Sequence, residues 1–511
     1  MKTNLALLDW VVLAIYAVTV IIIGVAAGKK EKNTDDYFLA GRKMPWWAVM
    51  CSIYATSLSA LTFIGVPGAA YAGDFNYIQL GIGDFFGRIL IAFVLLTAYY
   101  KGKVTTVYEL LGERFGPHSH NAGTIFFILT RLLASGVRLA GCAIALSVVF
   151  NIPINLAIAM IALTALAYTL VGGIKAVIWT DMMQFILFMS AAGIAIFTIT
   201  MALPNGWSDF IDVGQAHQKF KIFHISFISG TKDYWFNFSN PDSLMAGFLF
   251  GCFTTFAALG TDQDMVQRML TCEKVKESQK ALLWTAVMNF PITLLFLSVG
   301  AGLFVYYNIF PNAEVAGFVA AKKTDFIFPH FIKTVLGPGL RGILIAGLLA
   351  AAMSSLDSAL NALAASAYID IFKRYIKKNT SDQDAVKISR YFVIGFAVVL
   401  AVIAIFFSKT ESILWLGFRI AGYTYGAMLG VFLLAVFTKK RGNDLSNIII
   451  MFSSIAVVIF FTAESIGPFN ILRTSLLQIF KIKSIAWPWA IIIGTLWTFG
   501  VGAIFRTSKK V

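Results

Sequence analysis

The sequence predicts an all-α membrane protein of about thirteen transmembrane helices, two of them interrupted at corresponding positions of two five-helix halves. Three observations carry this. Of the 511 residues, 58% are hydrophobic and only 13% are charged, whereas soluble domains run to about a quarter charged. Apolar runs of about 20 residues, enough to cross the hydrocarbon layer, follow one another along the chain. Two of those runs, five spans apart, are interrupted by hydroxyl, Gly and Pro residues.

In chain order the runs are 8–28, 46–71, 78–100, 122–150, 153–171, 177–201, 243–261, 282–307, 340–372, 387–407, 412–437, 444–463 and 485–506. The first is followed by Lys29, Lys30 and Lys32 and lacks a small-residue cleavage site, so it reads as a span and not as a cleaved signal. With the N-terminus outside, the inner segments hold 25 Lys and Arg and the outer ones 11. Basic loops stay cytoplasmic, which gives an N-out, C-in topology in the plasma (inner) membrane. The net charge of +15 is then the membrane's own bias and not a nucleic-acid surface.

Little chain remains for a soluble domain, and no ATP-hydrolysing lobe fits. Cys51, Cys142, Cys252 and Cys272 show no metal-ligand spacing and read as small core residues. His118 and His120 fall in a predicted inner loop and read as solvated. There is no GxxxxGK[ST], HExxH or GxSxG pattern, so no enzyme and no cofactor is expected.

The interrupted stretches are Ser52 to Gly68 in the second span and Phe253 to Gln263 in the seventh. Interrupted spans at matching positions of two halves point to an inverted-repeat transporter. Hydroxyl-rich spans also serve as helix-packing glue, so both readings stay open on pattern alone.

Ionisable groups at membrane depth are few, and each needs a partner, a cation or a wet cavity. In the ninth span Ser354, Asp357 and Ser358 share one helical face, offering two hydroxyls and a carboxylate suited to a hard cation. Asp181 opens the sixth span, where N-terminal capping is the simple role. Arg131 and Arg138, with Ser135, share a face of the fourth span, and Arg419 lies in the eleventh. A guanidinium cannot shed its charge, so these arginines need carboxylates or a bound anion. Asp84 and Arg88 read as an i, i+4 ion pair. Gly422, Gly426 and Gly430 mark close helix packing.

Four segments together resemble the sodium:solute symporter family: Asp36 to Arg42, Gly172-Gly173 through Asp181 to Gln184, Thr261 to Arg268, and Ala351 to Ser355. That resemblance implies an additional helix at 8–28, inverted repeats at 46–201 and 243–437, and two C-terminal helices at 444–506. It places one sodium on Ala55, Leu58, Ala351, Ser354 and Ser355, and a second on Asp181, Ser354, Asp357 and Ser358. Asp357 departs there from the serine of the family's sialic acid transporters, and the extra carboxylate either strengthens the site or takes a proton and leaves one sodium. It also implies a solute pocket drawn from Ser57, Ser59, Thr62, Gln79, Arg131, Arg138, Thr255, Phe256, Asn289 and Arg419. The implied activity is sodium-coupled symport of a small organic anion, such as sialic acid or a monocarboxylate, with a sugar or an amino acid as the alternative. Sodium is the only metal implied, and no obligatory protein partner is expected.

Overall fold

The computed structural model describes residues 5–28, 34–59, 61–102, 104–227, 234–409, 413–463, 470–479 and 482–507. Among them nine helices are long and apolar enough to cross a membrane, two helix pairs do so across a bend, and two shorter apolar helices complete the series. They are α1 (Leu7–Gly24), α2 (Trp46–Ser57 and Leu61–Ala72), α3 (Phe75–Gly102), α4 (Pro117–Phe150), α5 (Ile154–Leu166), α6 (Gly173–Ala202) and α7 (Leu244–Gly260 and Gln263–Met269). Then follow α8 (Val275–Ile309), α9 (Leu340–Ile376), α10 (Gln383–Phe407), α11 (Leu414–Phe437), α12 (Asp444–Thr462) and α13 (Trp489–Ile504). Each falls on one of the thirteen apolar runs. Lys29, Lys30, Lys32, Lys103, Lys509 and Lys510 of the predicted inner segments lie outside the described residues.

Composition sorts these helices between centre and rim. The apolar window of α9 is 89% buried and those of α1, α10 and α12 only 22–28%, so α9 is the central pillar and the others meet lipid. Its run of Ala, Gly and Ser lets α1, α4 and α6 pack closely around it. On α10 the outward residues Val398 and Phe406 stay exposed, as lipid-facing side chains do. Between α5 and α6, Gly173 takes φ +47°, a conformation that favours glycine, and turns the chain there. Where α3 crosses α7, a Cβ on Gly251 would lie 2.1 Å from Leu80 O, so only glycine lets these backbones touch. The Gly422, Gly426 and Gly430 ladder faces α13.

Both predicted interruptions are real bends. The halves of α2 meet at 61° and those of α7 at 68°. In α2 the helix ends at Leu58, which is extended at φ −82°, ψ 94°. In α7 Asp262 caps the second segment, its side chain accepting from Asp264 N at 3.0 Å.

The 203–243 loop is pinned to the second segment of α2 by Lys219, which is 6% exposed. Its Nζ donates to Tyr71 O at 2.7 Å and to Gly73 O at 2.8 Å, and stands 3.8 Å from the Phe304 ring centre. Burial pulls the Lys219 ammonium down from 10.5 to about 8, with Asp74 opposing. The folded state therefore loses its proton first, and the unfolded chain holds more protons between about pH 8 and 10.5. Stability rises with pH wherever the unfolded state is the more protonated. The burial penalty is in full force below pH 8 and relieved above it. The melting difference between wild type and Lys219→Met is expected to move in favour of the wild type from pH 8 to 10. A difference that stays flat would show that Lys219 does not titrate in that window.

Candidate functional site

The two bends and the α3–α7 crossing line a cavity of about 190 Å³. The α2 break contributes Ser57, Leu58 and Thr62, α3 contributes Asp84 and Arg88, and α4 contributes Arg138. Thr255, Asn289 and Tyr425 also line it. The Asp84 carboxylate accepts from Arg88 Nε at 2.7 Å, Arg88 Nη2 at 3.2 Å and Thr255 Oγ1 at 2.6 Å. A carboxylate offers about four lone-pair sites, and this one is still 15% exposed, so it can take a further donor.

Breaking α2 frees carbonyls that a continuous helix would use. The last ordinary bond there is Leu58 N to Tyr54 O at 2.8 Å. Against this end stands α9. Ser354 Oγ lies 2.7 Å from Ala55 O and 3.3 Å from Ala351 O, and Ser355 Oγ donates to Thr56 O at 3.4 Å. Ala55, Leu58, Ala351, Ser354 and Ser355 are all buried. The helix break and the central pillar thus bring carbonyl and hydroxyl oxygens together, with Leu58 one turn further on, in the cavity wall.

Beneath them runs a charged network that no single span reveals. Asp181 lies two turns inside α6 and does not cap it. Its Oδ2 accepts from Ser52 Oγ at 2.5 Å and from Arg268 Nη2 at 3.3 Å, and its Oδ1 is buried without a partner. Arg268 also bonds Asp264 and Ser358, and Ser358 Oγ lies 3.1 Å from Asp357 Oδ1. Arg131 pairs with Asp262 Oδ2 at 3.3 Å and with Asp264, while Tyr425 donates to Asp262 Oδ2 at 2.8 Å. Asp181, Asp262, Asp264 and Asp357 are fully buried, as are Arg131 and Arg268. Buried charge is costly unless compensated, and Arg131 and Arg268 supply that compensation to Asp181, Asp262 and Asp264.

The three candidate arginines differ in their partners, although Arg131 and Arg138 both line the central cavity. Arg131 is engaged by Asp262 and Asp264. Arg419 is exposed and borders a different cavity, beside Arg473 and Lys483. Arg138 lines the central cavity and has Thr56 O as a neighbour at 3.5 Å. Thr255 and Asn289 also line that cavity, whereas Ser59 and Phe256 do not. Ser59 Oγ instead accepts from Leu61 N at 3.2 Å, and Phe256 is buried in the core. Gln79 lines a neighbouring cavity with Trp415 and Trp487 and donates to Ile222 O at 3.1 Å. His120 is not solvated, contrary to expectation: it is 5% exposed and 2.9 Å from Asp370 Oδ1. Pro117 starts α4 early, so His120 sits in its first turn and faces inward. Asp84 was legible as an ion pair, but nothing in its spacing signalled a cavity wall.

Two broken helices set around a hydroxyl-bearing pillar, next to a cavity bearing Asp84, Arg88 and Arg138, define a secondary transporter of the inverted-repeat type. The chain belongs to the sodium:solute symporter family, whose model matches residues 37–444. It is 31% identical over 458 residues to the sodium/sialic acid symporter SiaT of Proteus mirabilis, covering 88% of this chain and 89% of that one. It is 29% identical to the sodium/glucose cotransporter of Vibrio parahaemolyticus, covering 86% and 82%. A substrate-bound, outward-open structure of a Na+-coupled sialic acid symporter superposes with a TM-score of 0.82 at 28% identity, covering 99% of this chain and 100% of that one. The nucleobase-cation-symport-1 transporter Mhp1 shares the fold alone, at a TM-score of 0.51 and 12% identity over 91% and 92%.

Proposed function

We propose that the solute of this sodium-coupled symporter is an organic anion bearing several hydroxyl or amide groups, of the sialic acid class. The single observation behind this is a cavity lined by both the Arg138 guanidinium and the Asp84 carboxylate. Arg138 suits the solute carboxylate, and Asp84 suits hydroxyl or N–H donors. A simple monocarboxylate would use the first and waste the second. The sialic acid symporters among the relatives agree with this choice.

Sodium is carried on Ala55, Leu58, Ala351, Ser354 and Ser355, and a second ion on Asp181, Ser354, Asp357 and Ser358. The buried Asp181 Oδ1, with no hydrogen-bond partner among the described residues, supports the second ion. Outside sodium holds the α2 break against α9, completes the solute cavity, and leaves when the inward-facing state parts them. Coupling arises because the ion prefers one state, and an inward-negative potential adds about 2.3 kcal/mol per charge per 100 mV. The repeats run over 46–201 and 243–437, with 8–28 before them and 444–506 after. The plasma (inner) membrane, N-terminus outside and C-terminus inside, agrees with the distribution of basic residues.

The test is the melting temperature of the purified protein with sialic acid, lactate, glucose and proline, with and without sodium, since a ligand of the native state stabilises it. Sialic acid is expected to raise it only with sodium, and a response to glucose or proline alone would overturn the proposal. In uptake, Asp84→Asn is expected to raise the sialic acid KM about tenfold, the loss of one charge-assisted hydrogen bond. Half-saturating sodium should stay unchanged. An unaltered KM would remove Asp84 from recognition.

A further inference from the structure

The guanidinium of Arg268 lies on the atoms that the second sodium would use. Its Nη1 arm is anchored at home on α7, donating to Asp264 O and Asp264 Oδ1, both at 2.6 Å. Its Nη2 arm crosses to α6 and α9, donating to Asp181 Oδ2 at 3.3 Å and to Ser358 Oγ. Nε donates to Ser52 Oγ at 2.9 Å.

A hydroxyl has one hydrogen to give and two lone pairs. Ser358 Oγ gives its hydrogen to Ser354 O or to Asp357 Oδ1. One lone pair takes Arg268 Nη2, and Thr56 Oγ1 stands at 3.3 Å on the other. No lone pair then remains for a metal ion. A second full positive charge at the same carboxylate would also meet the guanidinium at close range, where burial leaves the repulsion poorly screened.

We propose that Arg268 is a tethered cation that competes with sodium for the second site. Sodium enters when the Nη2 arm leaves Ser358 and Asp181, while the Nη1 arm stays on Asp264. Asp181 then has a cation beside it before and after the exchange. The exchange also unties the short second segment of α7 from α6 and α9, so occupancy of the site is linked to the position of a broken helix. This rests on the sodium-symport reading and on the Asp181–Ser358 site.

The experiment is a sodium titration of the purified full-length protein, read by melting temperature and by half-saturation of uptake. Arg268→Lys keeps a charge near Asp264 but has no second arm to compete. Its half-saturating sodium is expected to fall about tenfold, the worth of one charge-assisted hydrogen bond. Asp181→Asn should move it the opposite way. An unchanged or raised value in a folded Arg268→Lys protein, beside a sodium-responsive wild type, overturns the exchange and leaves symport standing. A wild type with no sodium response overturns both. Should the lysine variant not fold, the wild-type structure at saturating sodium decides. Nη2 withdrawn from Ser358 Oγ supports the exchange, and that contact persisting beside an ion on Asp181 overturns it.

Discussion

Ser354→Ala is expected to raise the sodium needed for half-maximal uptake by about ten- to a hundredfold, while the solute KM at saturating sodium hardly moves. Ser354 Oγ stands 2.7 Å from Ala55 O, so the hydroxyl and the freed carbonyl face each other where the proposed first ion would sit. Hydrogen-bonding groups matched to a charge contribute about 1.5–3 kcal/mol, and 1.36 kcal/mol is a factor of ten. If the hydroxyl merely glues α9 to α2, the substitution lowers the melting temperature and leaves the sodium dependence alone. Sodium-dependent uptake in vesicles, measured alongside melting without sodium, separates the two.

Arg138→Gln is expected to cost the anion at least about thirtyfold in KM, because truncating one partner of a buried charge pair costs about 2–5 kcal/mol. Sodium should still raise the melting temperature of this variant. The comparison with Arg131→Gln is what gives the measurement its force. Arg131 holds Asp262 and Asp264, so its removal leaves buried carboxylates uncompensated, a loss of about 3–5 kcal/mol. That variant should melt early whatever the solute. If instead Arg131→Gln folds normally and loses only anion uptake, the roles assigned to the two arginines are reversed.

The confusion between these arginines marks where sequence reading stops. Length and apolarity are local, so the thirteen runs and both interruptions could be found one window at a time. The face shared by Ser354, Asp357 and Ser358 was likewise visible, because a helix fixes its own spacing. The partner of an arginine is not local. Arg131 and Arg138 sit on one helix with the same composition around them, and only the approach of Asp262 from α7 tells them apart. Gln79 and Arg419 show the same limit, since their spans point them at cavities other than the central one. Asp84 shows another limit: its spacing reveals the i, i+4 bond to Arg88 but not its place in the cavity lining. His120 went unrecognised because Asp370 lies 250 residues away.

The pairing of α4 with α7 also sets a timetable for synthesis. Arg131 meets Asp262 across 131 residues of chain, which at 5–20 residues per second takes roughly 7–26 s to make. Through that interval α4 carries an unmatched guanidinium that lipid disfavours by about 2.5–3.5 kcal/mol. The insertion machinery therefore has to shelter α4, or let it lie shallow, until α7 emerges. The first half of the chain is then no free-standing product but an intermediate waiting for its counter-charge.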